Sequence, residues 1–312
     1  MKILFIDSCH PFLHEELSRN NFQCDLLYNL SKEEIENKIG EYEGVIIRSK
    51  IKLTKEILDQ AKKLKFIARV GAGMENIDLA YAESKNIKCF HAPEGNRDAV
   101  GEMAIGMLLD LFRNISCANK EVRDGKWIRE ENRGTEIGGK TIGIIGFGNT
   151  GSAFAKKLKG FGCAVLAYDK YKKNFGNDFV KEAAMEKIFQ EADILSLHIP
   201  LTEETTYLVD DVFINHFKKN IYIINTARGQ NIKTDDLVKN MTSGKVLGAC
   251  LDVLEYESVS FENLDTTKLP EAFHYLAKSE KAILSPHIGG WTFESNEKMA
   301  RVLAEKIISN FR

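Results

Sequence analysis

Residues 140–169 read KTIGIIGFGNTGSAFAKKLKGFGCAVLAYD. An apolar run, TIGII, leads into Gly146, Gly148 and Gly151 at GxGxxG spacing. A small-residue helix signal follows, and then a second apolar run that ends at Asp169. Each part has a mechanical reason. Gly146 makes a tight turn, Gly148 lets the backbone approach a pyrophosphate, and Gly151 lets the helix lie close on the strand. The N–H groups that open the helix, around Asn149 and Thr150, suit an anion. Asp169 is placed to accept hydrogen bonds from both hydroxyls of a ribose. Its charge would repel a 2′-phosphate, so the expected cofactor is NAD rather than NADP. Lys170, Lys172 and Lys173 follow closely and work against that preference.

Four further apolar runs extend the pattern. ILSL ends at His198, IYII runs into NTARG with Arg228, VLGACL ends at Asp252, and AIL runs into SPH with His287. In an open parallel sheet, ligands bind beyond the carboxyl ends of the strands, so these polar groups describe one rim. Residues 1–92 repeat the alternation. Strands are expected at 2–7, 24–28, 44–48, 66–70 and 88–90, with amphipathic stretches between them. Ser31 and Thr54 stand where helix N-caps stand. Such βα alternation implies an α/β fold with doubly wound parallel sheets. A long helix over 98–114 is apolar around much of its circumference, which requires burial or an interface. The last amphipathic helix has no strand after it, and the economical placement is back on the first domain. The expected division is therefore 1–95 with 288–312 for one domain and 96–287 for the other.

Composition narrows the class. The 312 residues are 44% hydrophobic and 28% charged, with a formal net charge of -2. That is an ordinary globular balance, with no basic excess for nucleic acid. No apolar run approaches the roughly 20 residues that span a bilayer. The first run, KILFID, is too short for a signal-peptide core, so a cytoplasmic location is expected. Six cysteines without a CxxC pair are expected to be small buried hydrophobes. Trp127 and Trp291 are expected to pack, and His10, His14, His91, His216 and His274 show no metal-ligand spacing.

Taken together, RVGAGMENID, GGKTIGIIGFGNTGSAFAKKLKGFG, ADILSLHIPLTEETTYLV, INTARGQNI, LDVLEYE and SPHIGG are specific. Over nearly its whole length the chain resembles the D-isomer-specific 2-hydroxyacid dehydrogenases. The resemblance implies an NAD-binding Rossmann domain inserted into a flavodoxin-like substrate domain, and a homodimer. It implies a catalytic set of Arg228, Glu257 and His287. Asp252 matches the residue that holds the nicotinamide amide, and His198, Pro200, Thr226, Ala227, Gly289 and Gly290 fall along the cofactor wall. Within the family the chain looks most like short phosphoglycerate dehydrogenases without a regulatory domain. That places Arg48, Ser49 and Arg69 toward substrate, with the N–H groups of Gly71, Ala72 and Gly73 as a carboxylate cradle. Three departures stand out. Gly101 replaces a common Ala, Ser258 follows Glu257 where Pro is common, and the stretch 258–281 is longer than usual and is expected to bear on substrate choice.

The chemistry follows from the side chains. Oxidising a secondary alcohol releases a hydride and a proton. A histidine is suited to the proton near neutral pH, and a carboxylate beside it would orient the ring and stabilise its protonated form. Residue reading alone leaves His198 and His287 both open, and the resemblance selects His287. Glu255 stands close to Glu257 as a competitor. An arginine fork at 228 suits a substrate carboxylate, while Arg48 and Arg69 could instead pair with helix carboxylates. The resemblance to the short phosphoglycerate dehydrogenases implies oxidation of 3-phosphoglycerate, in serine biosynthesis, as the expected activity. The alternatives are a glyoxylate or hydroxypyruvate reductase and, in another class, an NAD-binding corepressor.

Overall fold

The computed structural model describes residues 1–257 and 268–312. Residues 258–267 of the long stretch lie outside the described residues, and with them the expectation about substrate choice. The chain divides into two compact units. Among the described residues, Met1–Arg97 and Gly290–Arg312 form one, and Asp98–Glu257 with 268–289 form the other.

The first unit holds β1 (Lys2–Phe5), β2 (Gln23–Leu26), β3 (Gly44–Ile47), β4 (Phe66–Arg69) and β5 (Lys88–His91). They form one parallel sheet in the order β2-β1-β3-β4-β5, the flavodoxin-like arrangement. Side chains alternate across it. Leu4, Val45, Ile47 and Ile67 face one buried cluster, and Ile3, Phe5, Ile46, Phe66 and Ala68 face the other. The final helix, Phe293–Phe311, covers the second face with Met299, Ala300, Leu303, Ala304 and Ile307. Ser31 caps the helix Lys32–Lys38 in a reciprocal box with Glu34. Thr54 occupies a cap position, but its hydroxyl donates to Glu56 rather than accepting from the backbone.

The second unit holds β6 (Thr141–Ile145), β7 (Ala164–Tyr168), β8 (Val180–Glu182), β9 (Ile194–Leu197), β10 (Ile221–Asn225), β11 (Val246–Leu251) and β12 (Ala282–Leu284). The order β12-β11-β10-β9-β6-β7-β8 is parallel throughout. It reverses between β6 and β9, and that switch point opens the crevice in a doubly wound sheet. Strand β8 has no counterpart in the sequence reading. It is a three-residue edge strand with one buried side chain, Val180.

The long helix runs Pro93–Arg113. Its apolar residues Ala104, Met107, Leu108, Leu111 and Phe112 are buried in the chain's own core. Of the two expectations, burial or an interface, burial holds for these residues. After Asn114, in the left-handed region at φ 51°, a second helix spans Ile115–Arg123. Here apolar groups are exposed: Ile115, Val122 and, beyond the helix, Trp127. Among the described residues no helix is long and apolar enough to cross a membrane. All six cysteines are free. Burial raises the thiols of Cys9 (to about 12), Cys89 (to about 11) and Cys163.

Candidate active site

The glycine loop follows β6, and its geometry meets the mechanical demands. Gly146 has φ +90°, and a Cβ there would lie 2.3 Å from the His198 carbonyl oxygen. At Gly151 a Cβ would lie 2.0 Å from the Gly146 oxygen, so only glycine permits this closeness of helix to turn. A Cβ at Gly148 would meet nothing within 4 Å, which leaves its face open to a ligand. Gly148 is also the N-cap of the helix Asn149–Lys157 and offers no side-chain cap to its first N–H groups. Such an end attracts an anion.

Asp169, after β7, accepts from the backbone N–H groups of Phe147 (2.8 Å), Tyr171 (2.9 Å) and Lys172 (2.9 Å). Burial works to raise its pKa, but these three donors outweigh it and hold the carboxyl below its usual range. About one of the four acceptor positions of a carboxylate is left. The expected two-handed grip on a ribose therefore has to share an oxygen already engaged. Lys170 is engaged by Glu204 at 2.5 Å, and Lys172 donates to the Phe147 carbonyl. Much of the positive charge that would welcome a 2′-phosphate is thereby tied down.

The two histidines separate by environment. His198, after β9, is buried. Its Nε2 lies 2.9 Å from Ser196 Oγ and its Nδ1 3.3 Å from Thr150 Oγ1. Burial drives its pKa down to about 3, so the ring is neutral at working pH. His287 has its Nδ1 2.7 Å from Glu257 Oε2. Glu257 Oε1 accepts from the Leu254 N–H at 2.6 Å, which fixes the carboxylate from the other side. Glu255 is occupied elsewhere: its Oε2 takes both the N–H and the hydroxyl of Thr234, at 2.8 Å each.

Asp252, at the end of β11, is 1% exposed. Burial raises its pKa, opposed by the Ser285 hydroxyl and the N–H groups of Ile288 and Gly289. Those donors sit 2.7, 2.9 and 2.7 Å from its oxygens, and the His287 N–H donates to its carbonyl at 2.7 Å. The carboxylate thus ties down the turn that carries His287, which adopts φ 55°. A non-glycine residue there persists only where its surroundings over-determine it. Sequence reading gave Asp252 a cofactor contact and missed this second task. Gly289 serves the same turn: a Cβ would lie 2.7 Å from Asp252 Oδ2. Gly290 belongs to the first unit, where a Cβ would lie 2.7 Å from Asn96 Nδ2.

Arg228 sits in a turn clamped by two buried asparagines that the sequence reading passed over. Asn225 donates to the Arg228 carbonyl (2.9 Å), and the Asn231 side chain accepts the Arg228 N–H (3.1 Å). Asn231 also donates to the carbonyls of Thr205 and, at 3.5 Å, Pro200. Arg228 Nη1 donates to the Ala227 carbonyl at 2.6 Å, and the Ala227 N–H donates to Asn225. Next in the chain, a Cβ on Gly229 would lie 2.0 Å from the carbonyl carbon of Leu254. Glycine at 229 therefore lets the arginine turn press on the segment that anchors Glu257. Beside it, Thr226 Oγ1 is buried without a partner among the described residues. An unmet buried hydroxyl costs about 1–3 kcal/mol, which a bound ligand group would recover. The open Gly148 face and this hydroxyl fit a dinucleotide.

In the first unit, Arg48 follows β3 and Arg69 ends β4. Asp7 Oδ2 accepts the N–H groups of Arg48 (2.6 Å), Ser49 (3.2 Å) and Lys50 (3.2 Å). The Arg48 carbonyl accepts from Arg69 Nε (3.2 Å) and Asn76 Nδ2 (3.1 Å), so the two arginines adjoin. Arg48 donates from Nη1 to the Ser8 carbonyl (3.3 Å) and lies over the Trp291 ring, 4.3 Å from its centroid. Its guanidinium meets no carboxylate among the described residues. Gly71 leaves room for Arg69, since a Cβ would lie 2.2 Å from its Nη1. The cradle expected at Gly71–Gly73 is smaller than foreseen, because the Gly71 N–H already donates to the Arg69 carbonyl. The N–H groups of Ala72 and Gly73 have no backbone acceptor among the described residues. Trp291 and Trp127 are 65% and 80% exposed, so neither is a packing residue, and Trp291 is instead a stacking face. Among the described residues no cluster of His, Cys, Asp or Glu could hold a metal.

Comparison with known proteins identifies the family. The family model for the D-isomer specific 2-hydroxyacid dehydrogenase NAD binding domain matches residues 105–289. A hydroxypyruvate reductase of Thermotoga maritima is 36% identical over 279 residues, covering 89% of this chain and 88% of that protein. The D-3-phosphoglycerate dehydrogenase of Sus scrofa is 33% identical over 98% of this chain, which spans only 56% of that longer protein. Among solved structures, D-lactate dehydrogenase from Aquifex aeolicus, in complex with NAD and lactic acid, superposes with a TM-score of 0.83 at 27% identity. It covers 99% of this chain and 95% of its own. D-2-hydroxyisocaproate dehydrogenase superposes with a TM-score of 0.84 at 25% identity, covering 100% and 96%. The chain belongs to the D-isomer-specific 2-hydroxyacid dehydrogenases and is an NAD-dependent oxidoreductase.

Proposed function

We propose that the chain interconverts a short D-2-hydroxy acid and its 2-keto acid, and that the acid carries a second anionic group, as 3-phosphoglycerate does. Bound NAD supplies the hydride acceptor, and its reduced form the donor. The chain's own groups handle the proton and the charge. Glu257 holds Nδ1 of His287, so the proton of the substrate hydroxyl passes at Nε2. Arg228 grips the carboxylate and polarises the reacting oxygen. The observation that carries the phosphorylated substrate is Arg48. It adjoins Arg69, and among the described residues its guanidinium meets no carboxylate and commits one donor. Oxidation of 3-phosphoglycerate would place the enzyme in serine biosynthesis in the cytoplasm.

A second reading, hydroxypyruvate reduction, draws support from the 36% identity to the Thermotoga maritima reductase over most of both chains. We also propose a homodimer, resting on the apolar Ile115, Val122 and Trp127 at the surface rather than on the buried helix before them. A panel of 2-keto acids with and without phosphate, followed by NADH consumption, separates the two substrate readings. A lower KM and higher kcat/KM for 3-phosphohydroxypyruvate supports the first, and preference for hydroxypyruvate supports the second.

A further inference from the structure

Three exposed arginines of this chain are paired with carboxylates on their own helix or turn. Arg19 meets Glu15 and Glu16, Arg133 meets Glu130, and Arg301 meets Glu297. Arg48, half-buried, meets an indole instead. A guanidinium stacked on an aromatic ring spends its face and keeps its edge, and the edge carries the donors that hold an anion in two parallel bonds. Of five donors, one is committed among the described residues, to the Ser8 carbonyl.

Both partners of the stack are rigidly mounted. The Arg48 backbone is held by Asp7 at its N–H and by Arg69 and Asn76 at its carbonyl. Trp291 stands just before the cap of the 19-residue final helix. There Thr292 and Ser295 exchange side-chain and backbone hydrogen bonds at 3.0 and 3.1 Å, and the Ser295 hydroxyl donates to the Gly290 carbonyl at 2.6 Å. What these anchors leave loose is the arginine side chain, whose rotamer freedom would otherwise be lost on binding. The indole removes that freedom in advance. Trp291 also lies four residues after His287 in the chain.

We infer that Trp291 is a positioning residue for substrate selection. By stacking on Arg48 it presents the guanidinium edge to a phosphate monoester on the substrate, and so favours a phosphorylated 2-keto acid over its unphosphorylated counterpart. The inference rests on the reading of Arg48 given above.

The test is a double-mutant cycle of Trp291→Leu and Arg48→Ala, assayed with NADH and either 3-phosphohydroxypyruvate or hydroxypyruvate. The stack predicts that Trp291→Leu raises KM for 3-phosphohydroxypyruvate about 2- to 30-fold. It predicts changes within about twofold in kcat and in KM for hydroxypyruvate. In the Arg48→Ala background the loss of Trp291 should add nothing, and Trp291→Phe should recover part of the effect. Equal losses on both substrates, or an undiminished effect of Trp291→Leu without Arg48, overturns the inference. A selective effect of Arg48→Ala with none from Trp291→Leu leaves the substrate reading standing and removes the stack. If Arg48→Ala changes neither KM, both fall.

Discussion

Gly229→Ala adds one methyl group where the arginine turn meets the glutamate segment. Gly229 does not occupy the left-handed region, so the backbone itself tolerates alanine. The difficulty is contact. The new Cβ would lie 2.0 Å from the carbonyl carbon of Leu254, 2.1 Å from its oxygen and 2.4 Å from the Glu255 nitrogen. All three are backbone atoms with no rotamer to yield. Ordinary contact begins at 3.4 Å, so the segments must part by roughly 1.4 Å, and a displacement near 1 Å in an active site costs about 10²-fold. The moving segment includes the Leu254 N–H that holds Glu257, so the orientation of His287 is disturbed along with Arg228. Overpacking adds a stability cost of about 1–3 kcal/mol. Steady-state NADH oxidation with 3-phosphohydroxypyruvate and with hydroxypyruvate should show kcat/KM down about 10²-fold on both. NADH affinity by fluorescence titration should stay near normal, and circular dichroism should show a folded chain. A folded Gly229→Ala enzyme within about threefold of wild type would refute the claim that this contact sets the spacing of Arg228 and Glu257.

Two further outcomes are expected. The unmodified enzyme should prefer NADH to NADPH, and Asp169→Ala should narrow the ratio while loosening the turn whose three N–H groups it accepts; equal use of both cofactors by the unmodified enzyme would contradict this. Acid should destabilise the chain through His198. The unfolded ring takes a proton near pH 6.5 and the folded ring only near pH 3, so stability is full above about 6.5 and falls as pH drops toward 3, by up to about 1.4 kcal/mol per pH unit. Urea midpoints across that window should fall less steeply for His198→Gln, and parallel curves would show that the ring is not buried neutral.

Much of the fold was legible because parallel strands buried on both faces write continuous apolar runs. β1, β3, β6, β9 and β10 are all of this kind. β8 was illegible because VKE at a sheet edge buries a single side chain. The long helix begins at Pro93, five residues before its apolar periodicity does. The intervening EGNR signals a turn, yet Gly95 is needed because a Cβ would lie 2.6 Å from Met299 of the final helix. In the site, residue types and spacing indicated the rim, but environment decided between like residues. His198 and His287 both follow strands, and only burial shows the first to be neutral. Glu255 and Glu257 differ in what their oxygens already accept. Asn225 and Asn231 left no trace in the sequence reading, since a buried amide and a surface amide are written alike. Trp291 was misread for the same reason, because no periodicity distinguishes an indole that fills a core from one that carries a guanidinium.

The claim on which the rest depends is that His287, oriented by Glu257, moves the proton, and that His198 does not. Turnover of NADH with 3-phosphohydroxypyruvate and hydroxypyruvate should be measured side by side for the unmodified enzyme, His287→Ala and His198→Gln. His287→Ala is expected to lose about 10²–10⁴ in kcat, the usual share of a positioned proton-transfer group. His198→Gln should lose far less, with any effect falling on NADH affinity. Near-normal turnover by His287→Ala, or a greater loss of kcat from His198→Gln, would contradict it.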